Sequence, residues 1–207
     1  MPGLTAQPHV RRERHTGAMI TETNDLRRCF GAGDPLYEEY HDHEWGVPVH
    51  GDTALFERIT LEGAQSGLAW ITILRKRENY RAAFAGFDPR TVAAFTADDV
   101  ERLMADAGIV RNRLKIESTL TNARALVAMQ DAGESLDELV WSFAPPARKR
   151  PPASWEEVPA KTAESTALAK ELKRRGFVFI GPTTAYAAMQ ACGLVNDHIK
   201  GCVALKR

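Results

Sequence analysis

Two thiols and two imidazoles are the first groups in this chain whose types suit a metal. His198 and Cys202 are separated by three residues, so on a helix both would face one way. Cys29 and His41 stand near the start of the patterned sequence, and His43 competes with His41 for the same role. Two cysteines with two histidines satisfy tetrahedral zinc, and thiolate with imidazole suits zinc better than magnesium or calcium. The alternative is a pair of buried cysteines with unrelated histidines, because the two halves lie at opposite ends of the chain. A site drawn from both ends would staple the N-terminal segment to the C-terminal tail. With no carboxylate or open position in the set, its zinc would be structural. Cys192, on a helix behind apolar neighbours, reads as a buried, inert thiol.

Glu62 is the second focus. On a helix starting at Asp52 it projects near Leu55 and Ile59, inside the apolar stripe. A carboxylate there costs several kcal/mol unless something pairs with it. The bland partner is Arg58, one turn earlier; the functional one is a ligand offering hydrogen-bond donors or positive charge. Tyr37, Tyr40 and Trp45 precede it and Trp70 follows, so tyrosine and tryptophan outnumber phenylalanine around it. Aromatics at helical spacing are commonly core, yet these polar-tipped rings also suit a cavity. A carboxylate among stacking faces is what a cationic, planar, aromatic ligand needs.

The third group is a turn, residues 107–113, between two amphipathic helices. Gly108 and Val110 at the hairpin, with the helix N-terminus that follows, offer backbone N–H groups to an anion. Arg111, Arg113 and Lys115 add positive charge. That suits a grip on DNA phosphate, which positions without reading sequence, and equally an ordinary helical hairpin with a solvated basic end.

Helices must carry these groups, because the periodicity is helical almost throughout. Asp34-Pro35 is a start signal, with Tyr37, Tyr40, His41 and Glu44 on one face beyond it. Asp52 can cap a second helix, which runs through Leu55, Phe56, Ile59 and Gly63; residues 65–67 interrupt it, and helical patterning resumes over residues 68–74. Thr96 with Asp99 resembles a capping box ahead of Val100, Leu103 and Met104. Beyond the break at Gly108, Ile116, Leu120, Ala123 and Val127 define another helix, and Leu136, Leu139, Val140 and Phe143 a short one. Residues 145–159 are proline-rich, contain Arg148-Lys149-Arg150 and read as an exposed connector. Helices over about 164–175 and 183–192 end at Gly176 and Gly193. Residues 177–180 are the one strand-like stretch, too short to build a sheet. The fold class is all-α, in a single domain over residues 26–207.

Composition bounds the rest. The chain has 207 residues, 44% of them hydrophobic, enough for one substantial core. No stretch approaches the roughly 20 apolar residues that cross a bilayer. Residues 1–25 are polar and aperiodic, an extension expected to be disordered and lacking a secretory apolar run. Three cysteines form no disulfide framework, which points to a reducing, cytoplasmic setting. Lys+Arg and Asp+Glu balance at 27 each, which argues against coating nucleic acid by bulk charge but allows a local basic patch.

Taken together, these segments resemble the 3-methyladenine DNA glycosylase I family. The likeness rests on DPLY at 34–37, YHDHEWGVP at 40–48, LEG at 61–63, GLAWIT at 67–72, DAGI at 106–109, VWSF at 140–143 and MQACGLVNDH at 189–198. It covers residues from about 28 to 202. The resemblance implies a helix-hairpin-helix glycosylase fold with a zinc lobe made from both chain ends. It carries the zinc ligands onto Cys29, His41, His198 and Cys202, choosing His41 over His43. It carries the base pocket onto Tyr37, Tyr40, Trp45, Glu62 and Trp70. One departure is visible: the family has Cys-Gly-Trp at the first ligand, where this chain reads Cys29-Phe30-Gly31 and is a residue shorter before Asp34. Phe30 is the candidate to replace that tryptophan as a pocket wall.

The implied partner is double-stranded DNA containing alkylated bases, and the implied protein a cytoplasmic monomer. Its expected action is hydrolysis of the N-glycosidic bond of 3-methyladenine after flipping the nucleotide out of the stack. Trp70 would stack on the base, and Glu62 would accept hydrogen bonds and favour the charge. No Asp occurs between the hairpin and Asp131, so little general acid–base help is expected. Ser66-Gly67-Leu68 is a candidate plug, with Leu68 filling the gap in the duplex. Two rivals compete with this reading: a zinc-stabilised module that binds damaged DNA without cleaving, and a metallohydrolase with catalytic zinc.

Overall fold

The computed structural model describes residues 27–206, so the expectation of disorder over 1–25 lies outside the described residues. Among them are nine α-helices, three short 3-10 turns and no strand. No helix is long and apolar enough to cross a membrane.

Helix α1, Pro35–His43, begins as its sequence dictates: Asp34 accepts from the Leu36 and Tyr37 amides at 3.1 and 3.2 Å, with proline at the first helical position. Helix α2, Asp52–Gln65, is the axis of the molecule. It packs on α3 (Trp70–Ala83), α6 (Arg113–Asp131), α7 (Leu136–Trp141) and α9 (Pro182–Ala191). Every residue from Ile59 to Ala64 is therefore buried, whichever way it points. Glu62 is dry because its helix is surrounded. Helices α4 (Pro89–Ala93) and α5 (Ala97–Ala105) both pack against α6, and α8 (Ala163–Arg174) packs against α9.

The Thr96 start holds, with the Asp99 carboxylate accepting the Thr96 N–H at 2.9 Å. The short helix ends at Trp141, earlier than the Phe143 that the apolar spacing suggests. Residues 177–180, strand-like in sequence but too short to build a sheet, form no strand. Asn122 takes both ladder groups of Val178, accepting its N–H at 2.7 Å and donating to its carbonyl at 3.2 Å. Phe179 then turns to a φ of +62°.

Where α9 ends, Gly193 has a φ of +75°, and a Cβ there would stand 2.5 Å from the Pro48 nitrogen and Val47 carbonyl carbon. Only glycine lets the chains touch so closely. Backbone bonds at the same contact join Gly46 to Gln190 (3.1 Å) and Val49 to Cys192 (3.0 Å). The segment after α1 is thus locked to the one carrying His198.

Candidate active site and metal centre

A cavity of about 160 Å³ opens between α1, the end of α2, the start of α3 and α9. Tyr37 and Tyr40 reach it from one face of α1, Trp45 from just beyond that helix, Glu62 from α2 and Trp70 from α3. All five expected pocket residues meet there. Phe30 joins them, its ring 4.9 Å from Tyr37 and 5.1 Å from Trp45 between centroids, so it does form a wall. Tyr40 and Trp70 lie 5.3 Å apart. The volume suits one planar base, well short of the space a drug-sized ligand fills.

Glu62 is 6% exposed, and no hydrogen bond or ion pair reaches its carboxyl among the described residues. Burial pushes it up to about 8, opposed only by the charge of Arg58 at longer range. Arg58 is not the direct partner its spacing suggested. Its guanidinium donates to Glu44 at 2.7 Å, and Arg77 grips the same carboxylate at 2.6 and 2.8 Å. Burial and the nearby Glu62 also raise Tyr37 and Tyr40, so both hydroxyls remain protonated. The Trp70 indole N–H is buried without an acceptor among the described residues. The pocket therefore holds hydrogen-bonding groups whose partners must come from a ligand.

Four further lining side chains escaped the sequence reading: Gln65, Ala187, Gln190 and Trp155. Trp155 belongs to the proline-rich connector, is 41% exposed and stands 6.1 Å from Trp45. Its indole donates to the Cys29 carbonyl at 3.1 Å. A tryptophan in an otherwise polar connector was the available signal, because so large an apolar ring is seldom left without a surface to cover.

Behind the pocket, Cys29, His41, His198 and Cys202 bring one ligand atom each to within 4.8 Å of one another, an arrangement that could hold a metal ion. His43, the competitor, is exposed and near Glu39. The groups behind the two histidines suit such an ion. His41 Nδ1 contacts Asp42 at 2.7 Å, leaving Nε2 toward the cluster, 3.3 Å from the Cys202 sulfur. His198 Nε2 lies 3.1 Å from the Trp45 carbonyl, leaving Nδ1 toward the sulfurs of Cys29 and Cys202 at 3.5 and 3.4 Å. Both tautomers are thereby set to offer a lone pair inward. Asp42 is itself held by Arg28 at 2.7 to 3.0 Å, and the Ile199 N–H donates to the Cys29 sulfur at 3.2 Å.

The hairpin offers less backbone than expected. Its Gly108 N–H is spent on Asp106 (2.7 Å) and its Val110 N–H on the Tyr80 hydroxyl (3.1 Å). These bonds correct the reading of Gly108 and Val110 as free anion donors. Asn112 caps α6 through the Lys115 amide at 3.1 Å, which leaves the Arg113 and Leu114 amides without protein acceptors among the described residues. Arg111 is exposed; Arg113 is paired with Glu101 at 2.8 Å. Lys115 turns back, its Nζ donating to the Ala64 and Ser66 carbonyls at 2.7 Å each. That clamp fixes the loop on which Leu68 stands 41% exposed.

A family profile described as methyladenine glycosylase matches residues 30–205. The chain belongs to this family. DNA-3-methyladenine glycosylase 1 of Escherichia coli (strain K12) is 53% identical over 179 residues, covering 86% of this chain and 96% of that protein. Among solved structures, one of 3-methyladenine DNA glycosylase I superposes with a TM-score of 0.83 at 54% identity, covering 86% of this chain and 98% of that one. Another, a tyrosine-to-phenylalanine variant in complex with 3-methyladenine, gives 0.80 at 37% identity, over 85% and 95% of the two chains. Methyladenine glycosylases of this kind share the all-helical architecture described above.

Proposed function

We propose that this chain is a base-excision repair enzyme that hydrolyses the N-glycosidic bond of 3-methyladenine in alkylated double-stranded DNA. The observation that carries the reading is Glu62: a buried carboxyl without a partner among the described residues, in a cavity walled by six aromatic rings. The relatives named for this activity, and the related structure holding 3-methyladenine, support the same reading.

An adenine methylated at N3 and still bonded to deoxyribose carries a permanent positive charge. Extruded into the pocket, it stacks on Trp70 and Tyr40, whose faces attract the cation. Glu62, ionised by the arriving charge, accepts a hydrogen bond from the base edge and holds the cation. The C1′–N9 bond then breaks with its electron pair going to N9, which neutralises the ring. Water bonds to C1′ and loses a proton to solvent. Glu62 acts on binding and selection, and no Asp lines the cavity to serve as a general base. Asp131 lies far along α6, paired with Arg90 on the surface at 2.6 Å.

The metal in this proposal is one zinc ion held by Cys29, His41, His198 and Cys202. When bound it supplies a cross-link between the chain ends. DNA meets the first turn of α6 through the free Arg113 and Leu114 amides and Arg111, while Leu68 fills the space that the extruded nucleotide leaves. The deciding experiment is chromatography of bases released from methylated DNA. Release of 3-methyladenine is expected; DNA binding without release would leave only a damage-binding module.

A further inference from the structure

Beside the base pocket lies a much larger groove, about 730 Å³, that the reaction above does not use. Consecutive residues divide between the two: Gln65 lines the pocket and Ser66 the groove. On α9, Ala187 lines the pocket and Thr184, one turn earlier, the groove. The groove therefore begins at the pocket's edge.

Its floor is apolar and its far wall is basic. Val178 and Phe179, adjacent on this floor, are 43% and 36% exposed. Phe179 sits at a φ of +62°, a conformation a bulky residue adopts only when its surroundings impose it. The residue before it, Val178, is held at both backbone groups by Asn122. The ring borders Gly63, where a Cβ would stand 3.8 Å away, next in sequence to Glu62. On α8, Lys170 and Lys173 line the groove three residues apart, hence on one face. Neither is in an ion pair among the described residues. The acidic neighbour on that helix, Glu171, is already held by Arg174 and Arg175 at 2.6 to 2.9 Å.

An apolar ring held out by backbone strain, next to two unpaired ammonium groups, matches the surface of a nucleic-acid strand: bases and sugars flanked by phosphates. We propose that this groove seats the DNA strand adjoining the extruded nucleotide, with Phe179 stacked on a neighbouring base and Lys170 and Lys173 on its phosphates. The inference rests on the glycosylase reading, because it takes the pocket to be where the extruded base goes.

The test uses the full chain and a fluorescent duplex containing an abasic-site analogue, titrated at several salt concentrations. Lys170→Gln with Lys173→Gln should weaken binding and flatten log Kd against log salt by about 1.8, since each phosphate contact contributes about 0.9. Phe179→Gly should weaken binding about tenfold, within the range of a base–aromatic stack. Glycine accepts the positive φ, so this variant keeps the loop while removing the ring. Quenching of tryptophan fluorescence by free 3-methyladenine should be unchanged in both variants. Wild-type affinity and salt slope in the lysine variant would overturn the proposal, as would an equal loss of free-base binding in Phe179→Gly. If the glycosylase reading alone fails, the wild type releases no base while the variants still separate from it on the duplex.

Discussion

Base excision should depend on pH through Glu62, in a direction opposite to that of a general acid. Its carboxyl in the empty pocket is pushed up to about 8, so at pH 7 about nine in ten molecules hold it neutral. The substrate cation is permanent and favours the ionised form. The free enzyme therefore binds substrate in proportion to its ionised fraction, and kcat/KM should rise as pH rises, levelling off above about 8. Between pH 6 and pH 8 that fraction climbs about 50-fold for an acid of this strength. In the complex the bound cation keeps Glu62 ionised, so kcat alone should be nearly flat over the same range. Glu62→Gln should lose activity and also lose the inflection. The assay is initial-rate base release from a methylated duplex at constant ionic strength. A flat wild-type kcat/KM, or a Glu62→Gln profile with the same inflection, would refute the reasoning. Stability provides a second readout. Because the folded value stands above the ordinary 4.5, the folded state holds this proton more tightly than the unfolded chain does. Its contribution is complete below about 4.5 and is lost as pH rises through about 8, a span worth roughly 5 kcal/mol. The melting temperature of Glu62→Gln should therefore exceed that of the wild type increasingly toward alkaline pH.

Three other outcomes are expected. Metal analysis should find close to one zinc per chain, and Cys202→Ser or a strong chelator should lower the melting temperature by several degrees; a protein free of zinc and as stable as the metal-bound form would exclude the structural role. Trp155→Ala should raise KM about fivefold with a smaller effect on kcat, as expected for loss of one aromatic wall, with Trp155→Phe recovering most of it. Unchanged KM in Trp155→Ala would mean that the ring only covers the surface. Arg111→Gln should reduce the salt slope of duplex binding by about 0.9 and leave the spectrum of released bases unaltered; a change in which bases are released would give it a part in selection instead.

Local signals read correctly at some helix starts and not at others. Asp52, expected as a cap, is the first residue of α2, whose N-cap is Gly51 without a side-chain hydrogen bond. Asp34-Pro35 caps α1 as expected. Asp88-Pro89 carries the same signal and caps α4, with Asp88 accepting the Thr91 amide at 2.8 Å, yet the sequence reading assigned nothing there. What obscured it was the turn before, where Ala85 and Phe87 take positive φ without glycine at either position. Packing imposes that turn: Phe84 and Phe87 are both fully buried and their rings stack 5.8 Å apart. Glu62 was legible as an anomaly, but its partner was not. Arg58 is one turn away in sequence, while the carboxylate that claims it, Glu44, comes from beyond another helix. Spacing along one helix says who can meet, and a competing charge elsewhere in the fold decides who does. The choice of His41 over His43 likewise came from family resemblance, since both lie near the same helix end. Burial separates them in the structure: His41 is wholly enclosed and His43 exposed.

The Cys29, His41, His198 and Cys202 cluster and the pocket are better understood as one device than as neighbours. Both N-terminal segments that supply a ligand also supply a wall, and a third wall touches a ligand from the C-terminal segment. Cys29 precedes Phe30, Tyr40 precedes His41, and the Trp45 carbonyl meets His198 Nε2 at 3.1 Å while the two rings stand 4.6 Å apart. Even Trp155, far away in sequence, hangs from the Cys29 carbonyl. A cavity made from sequence-distant aromatics needs its walls held within a few tenths of an ångström for stacking to favour one flat ligand. Four ligands converging on one ion would fix three of those walls at once, without touching the reacting bond. That is why zinc loss should first appear as weakened base binding and lower stability, with the pH inflection of the remaining activity still set by Glu62.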